Sequence, residues 1–119
     1  NINHLQSLDL YHNNITANGG IAIAEALKFT VSLLHLNLAN NKLGDNGAEA
    51  IGGALALNTS LLTLNFNLNK ISDKGAKALG EGLKFNTTLQ SMSLRYNKIG
   101  NEGKSAISKN VRFKVNYEK

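Results

Sequence analysis

Hydrophobic and polar positions follow one pattern four times along the chain. A large apolar residue stands at the first, fourth, sixth and eleventh places of each stretch, and an asparagine stands at the ninth. The stretches run over 5–15, 33–43, 61–71 and 89–99, so the period is 28 residues. A fixed period of this size is typical of stacked repeats, because one unit alone cannot bury its apolar face.

Each stretch predicts a short strand followed by a turn. In the second copy Leu36 and Leu38 alternate with polar residues, the period of two expected of a strand with one buried face. Stacked copies then pair their strands into a parallel sheet. At the end of each strand an inward asparagine can satisfy buried backbone groups of its own and the neighbouring turn; these residues are Asn13, Asn41, Asn69 and Asn97.

A helix is predicted after each turn. Apolar and small residues recur at the spacing i, i+3, i+4, i+7, as in Ala48, Ile51, Gly52 and Leu55. Asp45 and Asp73 lie where a helix N-cap would sit, so their carboxylates can accept N–H groups of a first turn. After the helices we expect three large residues to fill the return loop, namely Phe29, Leu57 and Phe85.

The fourth repeat is more polar. Asn110 replaces the small residue found at Ala26, Ala54 and Gly82, and the tail from 111 to 117 alternates apolar and polar residues. These features predict a polar C-terminal capping repeat at 101–119 with a final edge strand, and we expect the native C-terminus close by. We therefore predict a single domain over 1–119, with strands near 5, 33, 61 and 89. Because the first residues already lie inside a repeat, we expect a fragment that lacks its N-terminal part.

The strings LLHLNLANNKLGDNGAEAIGGAL and LQSMSLRYNKIGNEG resemble the ribonuclease-inhibitor-like class of leucine-rich repeats. The resemblance covers nearly all of the chain up to about Asn110. It implies an α/β fold, a right-handed curved solenoid or horseshoe segment with a parallel sheet on the concave face and helices on the convex face. Such repeats occur in NOD-like receptors, Ran GTPase-activating proteins and bacterial effectors, which implies a cytoplasmic location, or the host cytosol for a secreted effector.

Composition narrows the classes of function. Hydrophobic residues make up 42% and charged residues 18%, which is typical of a globular chain, and no apolar run is long enough to span a bilayer. Cysteine is absent, which removes disulfides and thiolate chemistry. The sequons at Asn14, Asn58 and Asn86 permit glycosylation, but the last two lie where asparagine also serves turn chemistry.

The strand positions that point away from the leucines form the predicted concave surface. Stacking places Tyr11, Ala39, Asn67 and Arg95 in one row, and His12, Asn40, Leu68 and Tyr96 in a second row. Tyrosine, arginine and histidine beside an exposed leucine are residue types that anchor protein interfaces. The candidate protein-binding residues are Asp9, Tyr11, His12, His35, Asn37, Asn65, Asn67, Leu68, Arg95 and Tyr96. The alternative is a solvated sheet face with scattered aromatic residues.

Charge and candidate chemistry favour a protein partner. Lys42, Lys70 and Lys98 form a predicted rim that could attract an acidic surface, although such lysines can also be simply solvated. The net charge of +5 is spread over the helices without an aromatic platform, which does not favour nucleic acid. Ser7, His35 and Asp9 share neighbouring strand positions, but a flat sheet offers no closed pocket or oxyanion donors.

We therefore predict a non-enzymatic protein–protein interaction module without cofactor, metal, nucleic acid or membrane partner. The histidines lack the spacing of a metal site, and no glycine-rich phosphate loop is present. One alternative is regulation of a small GTPase, which the family resemblance permits, although this basic segment shows no acidic tract. Another is a structural or capping segment of a larger receptor or effector. The sequence identifies neither the partner nor the oligomeric state.

Overall fold

A computed structural model describes residues 4–118. Strands and helices alternate along this part of the chain and end in a fifth strand. The strands are β1 (Ser7–Asp9), β2 (His35–Asn37), β3 (Thr63–Asn65), β4 (Ser91–Ser93) and β5 (Val115–Asn116). The helices are α1 (Ala17–Leu27), α2 (Gly44–Leu55), α3 (Asp73–Leu83) and α4 (Asn101–Ser108). The predicted order of strand, turn, helix and loop is confirmed.

All five strands form one parallel sheet in sequence order. The register follows the 28-residue period, because Leu36 pairs with Leu8 on one side and with Leu64 on the other. Each helix packs against the next helix of the stack. The chain is therefore an open α/β solenoid with strands on one side and helices on the other, as predicted.

The core lies between the sheet and the helices. Its largest fully buried side chains are aliphatic apart from Phe66 and Met92, and they come from the repeated apolar positions, including Leu38, Leu55 and Leu79. The predicted face of α2 is wholly buried over Ala48, Ile51, Gly52 and Leu55. Burial of a leucine side chain stabilises a fold by about 1.5–3 kcal/mol, so each repeated leucine makes a contribution of this order.

Three of the four asparagines at the strand ends form the predicted ladder. Asn41 accepts hydrogen bonds on Oδ1 from the backbone N–H groups of Asn13 and Ile15 in the preceding repeat, at 2.9 and 3.0 Å. Its Nδ2 donates to the carbonyl groups of Leu10 and Leu38, both at 3.0 Å. Equivalent bonds surround Asn69 and Asn97. The amides thus hold adjacent turns together where the backbone is buried.

The aspartate caps act between repeats. Asp45 lies within the first turn of α2, but its Oδ1 accepts from the N–H groups of Ser72 and Gly75 at the start of α3, at 2.8 and 3.1 Å. Asp73 does the same for Gly100 and α4. Both carboxylates therefore satisfy a helix N-terminus as expected, but they cap the next helix of the stack. The period alone could not show this, because it does not reveal how far the helices are offset.

The hydrogen bonds of Asp45 make its contribution to stability depend on pH. Burial by itself raises the pKa of the Asp45 carboxyl, but the bonds from Ser72 and Gly75 and the charge of Lys74 outweigh burial, so the pKa lies below its ordinary value of 3.8. We expect Asp45→Asn to lower the free energy of unfolding by about 1 kcal/mol at pH 7. A lowered folded-state pKa stabilises the fold above pH 3.8, and this contribution is lost as the pH falls through the folded-state value.

Urea unfolding of the wild type and the variant between pH 7 and about pH 3 measures this effect. The difference between the two proteins should shrink as the pH falls below about 4. Glu49→Gln is the matched control, because Glu49 lies on the same helix and is exposed. A difference for Asp45→Asn that stays constant across this range would contradict the capping role of the charged form.

The expectation for the return loops is wrong. Phe29, Leu57 and Phe85 do not fill the loops; their side chains are 73%, 63% and 66% exposed. The space is occupied by other groups, since Asn58 is buried and donates from Nδ2 to the carbonyl of Leu27, while Asn86 donates to the carbonyl of Leu55. Turn-forming amides, rather than aromatic rings, close the loops.

Those bonds also bear on the sequons. The Nδ2 atoms of Asn58 and Asn86 are the atoms that a glycan would modify, and both donate to buried or half-buried carbonyl groups. Oδ1 of Asn58 accepts from the N–H groups of Ser60 and Leu61. A glycosylated amide keeps one N–H, so a glycan would displace one of the two Nδ2 bonds of Asn86 and would have to fit beside the buried side chain of Asn58. Both consequences support the turn interpretation. Asn14 is exposed and carries no such bond from its side chain in the described part of the chain.

The last repeat covers the sheet at one end. Strand β5 pairs in parallel with β4 through Val115 and Asn116, and the tail alternates half-buried and exposed residues as the pattern indicates. Asn110 donates from Nδ2 to the carbonyl of Gly80 at 3.0 Å, so a polar group stands at the place of the small residues of earlier repeats. The edge strand is confirmed.

Candidate protein-binding surface

The outward side chains of the strands line a shallow concavity of about 400 Å³. It runs across β1 to β4, and His35, Asn37 and Asn65 are among its lining residues. Nδ1 of His35 lies 2.8 Å from Oγ1 of Thr63 on the next strand. The floor of this groove is therefore polar, with the leucines buried beneath it.

Several of the polar candidates also shape their own turns. Oδ1 of Asp9 accepts from the N–H of Tyr11, Oδ1 of Asn37 from that of Ala39, and Oδ1 of Asn65 from that of Asn67, at 3.0, 2.9 and 2.9 Å. These bonds span two residues, the spacing at which aspartate and asparagine favour turns. The three side chains thus fix the direction in which the chain leaves each strand.

The row that follows has an unusual backbone. His12, Asn40, Leu68 and Tyr96 have φ values of 55°, 57°, 57° and 59°, in the left-handed region. For a non-glycine residue this region costs roughly 1–2 kcal/mol, although asparagine tolerates it better. We call these four residues the left-handed row. Three large side chains of this row are exposed, namely those of His12, Leu68 and Tyr96.

Contacts link the left-handed row to its neighbours. Asn40 donates from Nδ2 to Nδ1 of His12 at 2.9 Å, and the rings of Tyr11 and His12 lie 6.0 Å apart. At the other end the guanidinium of Arg95 lies 5.1 Å from the ring centroid of Tyr96. Leu68, 43% exposed, lies between these two ends in the stacked order. The row therefore has two aromatic ends, and its centre consists of one polar residue, Asn40, and one apolar residue, Leu68.

The other predicted row, that of Tyr11, Ala39, Asn67 and Arg95, is only partly exposed. Ala39, expected on the concave surface, is buried with 4% exposure, and its N–H donates to Oδ1 of Asn37. Asn67 is half-buried and accepts from the N–H of Arg95 at 2.7 Å, since Ser93 stands where earlier strands end in aspartate or asparagine. Arg95 also donates from Nε to the carbonyl of Glu118 at 2.9 Å.

All three rim lysines are exposed, but their backbones differ. Lys42 and Lys98 form isolated parallel bridges with Thr16 and Ser72, whereas Lys70 has a φ of 59°. Within residues 4–118 the ion pairs are Lys28–Glu25 and Lys77–Glu102, on the helices, and neither includes a rim lysine. The rim therefore carries positive charge beside the left-handed row.

The described residues contain no group of three or more histidine, cysteine, aspartate or glutamate side chains that could hold a metal ion. Nor does any helix within 4–118 have the length and apolar content needed to cross a membrane. Ser7, His35 and Asp9 do line one concavity, but the imidazole of His35 bonds to Thr63.

Comparisons with known proteins agree with this architecture. The family description "Leucine Rich repeat" matches residues 1–24, 31–52, 57–80 and 85–108. The chain belongs to the leucine-rich repeat family. Among solved structures, the repeat chain is similar to "Leiomodin-1 Actin-Binding Site 2 (ABS2)" with a TM-score of 0.83 and 26% identity; the match covers 96% of this chain and 70% of that one. No curated protein matches the sequence.

The left-handed row gives a prediction about stability. Leu68→Asn should change the free energy of unfolding by less than about 0.5 kcal/mol, because asparagine's better tolerance of a positive φ offsets the apolar burial that a 43% exposed leucine loses. Leu57→Asn is the matched control, since Leu57 is also an exposed leucine but lies outside the residues of positive φ. Urea unfolding measures both variants; equal effects would contradict strain at Leu68.

Proposed function

We propose that this leucine-rich repeat chain is a non-enzymatic module that binds another protein through the left-handed row and the strand surface beside it. The observation that carries the proposal is the strained, exposed Leu68 beside Tyr96 in the stacked order. The positive φ recurs at this place in all four repeats, so what distinguishes Leu68 is the side chain: an exposed leucine stands where the backbone favours asparagine. An exposed leucine beside an exposed tyrosine is also the type of patch that a partner buries.

The charges around the patch favour an acidic partner surface. Arg95 lies at one end of the left-handed row. In the second, third and fourth repeats, a rim lysine follows the residue of this row by two positions; these lysines are Lys42, Lys70 and Lys98. Asp9 is the one carboxylate among the candidate residues. A partner that places carboxylates against the rim and an apolar side chain against Leu68 would satisfy both kinds of group.

Actin is the first partner to test. The similar solved structure is titled an actin-binding site, and it shares 26% identity with this chain over nearly the whole of it. A leucine-rich repeat surface can bind unrelated partners, since fold alone does not determine function.

We place the module in the cytoplasm, or the host cytosol if it belongs to a secreted effector, and the absence of cysteine supports that location.

The experiment measures binding of purified actin by sedimentation and by calorimetry. The chain is compared with the double variant Leu68→Asn/Tyr96→Ala, which removes the apolar residue and one aromatic end of the row. Leu57→Asn/Phe85→Ala is the matched control, because it removes an exposed leucine and an exposed aromatic side chain from the return loops. We expect the first variant to weaken binding at least about tenfold and the control to leave it unchanged.

A second arm tests the interaction surface apart from actin. Proteins cross-linked to the chain in cell extract are identified by mass spectrometry, and cross-links to Lys70 and Lys98 are compared with those to Lys77 on α3. Partners that attach to the rim and are lost in the Leu68→Asn/Tyr96→Ala variant support the surface even if actin does not bind. Partners that persist in this variant and attach at Lys77 would overturn the proposal.

A further inference from the structure

The return loops carry the most exposed apolar side chains in the described part of the chain. The four large apolar residues with the greatest exposure among residues 4–118 are Phe29, Val31, Leu57 and Phe85, at 63% to 73%. Phe29, Leu57 and Phe85 stand at the same place in successive repeats. The period therefore sets them in one row along the side of the stack, roughly 5–10 Å apart.

The fourth return loop brings cations next to this row. Phe113 has the same place as Phe85, is half-buried, and lines a cleft of about 480 Å³. The same cleft is lined by Lys84, Lys109 and Arg112. Nζ of Lys84 also lies 5.9 Å from the ring centroid of Phe85. Positive charge and exposed aromatic surface are thus adjacent.

The charge of the return loops is entirely positive. These loops, between each helix end and the next strand, run over 28–34, 56–62, 84–90 and 109–114. They contain no aspartate or glutamate, and their basic residues are Lys28, Lys84, Lys109, Arg112 and Lys114. Within residues 4–118 only Lys28 of this set is in an ion pair, with Glu25 on α1. The exposed Glu81 lies one turn before the third loop, so positive charge remains in excess.

Helix dipoles account for only part of this arrangement. Lys28, Lys84 and Lys109 are the C-cap residues of α1, α3 and α4, where a cation is favourable. Arg112 and Lys114 lie beyond the last helix, and a helix dipole does not favour an exposed phenylalanine. A partner surface that is both apolar and anionic explains the rings and the cations together.

We propose that the return-loop face, formed by Phe29, Val31, Leu57, Phe85 and the five basic residues of the loops, contacts the surface of a bilayer that contains anionic lipids. The exposed side chains enter the boundary between head groups and acyl chains, while Lys84 and Arg112 bind the anionic head groups. Side chains that protrude one by one from successive loops fit a fluid layer, because such a layer needs no complementary pockets.

This surface is separate from the protein-binding surface proposed above, and neither proposal depends on the other. The expectation of no membrane partner rested on the lack of a run long enough to span a bilayer. Contact with a bilayer surface does not require such a run.

The test measures sedimentation of the full chain with vesicles. Vesicles of equal parts phosphatidylserine and phosphatidylcholine are compared with vesicles of phosphatidylcholine alone. We expect binding to the mixed vesicles to be at least about tenfold stronger, because each basic residue near an anionic surface strengthens binding about fivefold. Equal binding to both kinds of vesicle, or binding to neither, would overturn the proposal.

The apolar side chains are tested with Phe29→Ser/Phe85→Ser. This variant should bind the mixed vesicles at least about tenfold more weakly, because two rings no longer leave water. Tyr11→Ser/Tyr96→Ser is the matched control, since it removes two exposed aromatic side chains from the concave side, and it should leave binding unchanged. All four positions are exposed, so the fold is retained, which circular dichroism checks.

The basic side chains are tested with Lys84→Gln/Arg112→Gln. It should weaken binding to the mixed vesicles at least about tenfold. Lys42→Gln/Lys98→Gln removes the same charge from the rim and should weaken binding less than about threefold. If both pairs weakened binding equally, net charge alone would attract the chain and no face would be selected.

A fluorescent reporter shows which face meets the lipid. The chain has no tryptophan, so Phe85→Trp introduces a single one. Its emission should move to shorter wavelength with the mixed vesicles, whereas that of Tyr96→Trp should not change. The reverse result would overturn the proposal.

Two other occupants of the face are separate outcomes. A dimer in sedimentation velocity that Phe29→Ser/Phe85→Ser converts to monomer would show that a second copy covers the return-loop face, and would overturn the proposal. So would a protein from cell extract that cross-links to Lys84 and is lost in this variant while the chain does not bind the mixed vesicles.

Discussion

Gly82→Ala is expected to lower the free energy of unfolding by at least about 3 kcal/mol. A Cβ atom at this position would overlap the carbonyl oxygen of Gly52 and lie 2.5 Å from its carbonyl carbon. Both groups belong to the backbone of a buried helix, so neither can rotate away as a side chain could. The two helices must separate, which opens the core between α2 and α3 at the centre of the stack.

The control lies on the same pair of helices. Gly53 is exposed, and a Cβ added there would meet no atom within 4 Å. Gly53→Ala should therefore raise the free energy of unfolding by roughly 0.5–1 kcal/mol, because glycine within a helix is less favourable than alanine. Urea unfolding followed by circular dichroism measures both variants. A loss below about 1 kcal/mol for Gly82→Ala would show that the helices can separate easily.

Much of the fold follows from the period. Leu36 and Leu64 recur at one phase, and the register of the parallel sheet pairs them directly. The inward role of Asn41 also follows, because a polar residue at a fixed place among buried leucines must satisfy buried backbone groups. The period and the polarity of each position are sufficient to predict the sheet register and the inward asparagine, because each repeat packs against an equivalent repeat.

The period does not reveal offsets between neighbouring repeats. Asp45 has the sequence position of a cap for its own helix, yet its carboxylate reaches Ser72 in the next repeat. Phe29 is of a residue type that is usually buried, yet its ring is exposed to solvent. Amide hydrogen bonds close the return loop instead. In both cases the deciding quantity is a distance between repeats, and one repeat's sequence does not contain it.

The candidate surface also has features that the sequence predicts and features that it does not. Alternation identifies the outward positions of the strands, and Leu68 is exposed as expected. Ala39 has an equally outward position by the same alternation, but it is buried in the turn after the strand, where its N–H donates to Asn37. The left-handed φ of Leu68 and Tyr96 is not visible in the sequence, since neither residue type favours that conformation. The stack of repeats imposes this turn on the residue at this place in every repeat, and the backbone strain follows from the turn.

Asn69→Ala is expected to lower the free energy of unfolding by about 3 kcal/mol or more. The Asn69 side chain is fully buried, and Nδ2 donates to the carbonyl groups of Leu38 and Phe66 at 2.7 and 3.2 Å. Oδ1 accepts from the N–H of Leu43 at 3.3 Å. Alanine would leave the buried N–H of Leu43 without its side-chain partner, which costs about 1–3 kcal/mol. It would also remove one of the two amide donors from each carbonyl, since Asn41 and Asn97 would still donate to them, at about 1 kcal/mol for each lost bond.

Asn13→Ala is the matched control for the ladder. Asn13 has the same place in the first repeat, but it is exposed, and its Nδ2 donates to the carbonyl of Tyr11, where water can replace it. We expect a loss below about 1 kcal/mol for this variant. Asn69→Asp separates shape from hydrogen bonding, because aspartate keeps the acceptor but removes both donors and brings a charge into the core. If Asn69→Asp were as stable as the wild type, the donors of Asn69 could not be what holds adjacent turns together, and the ladder would owe its stability to packing alone.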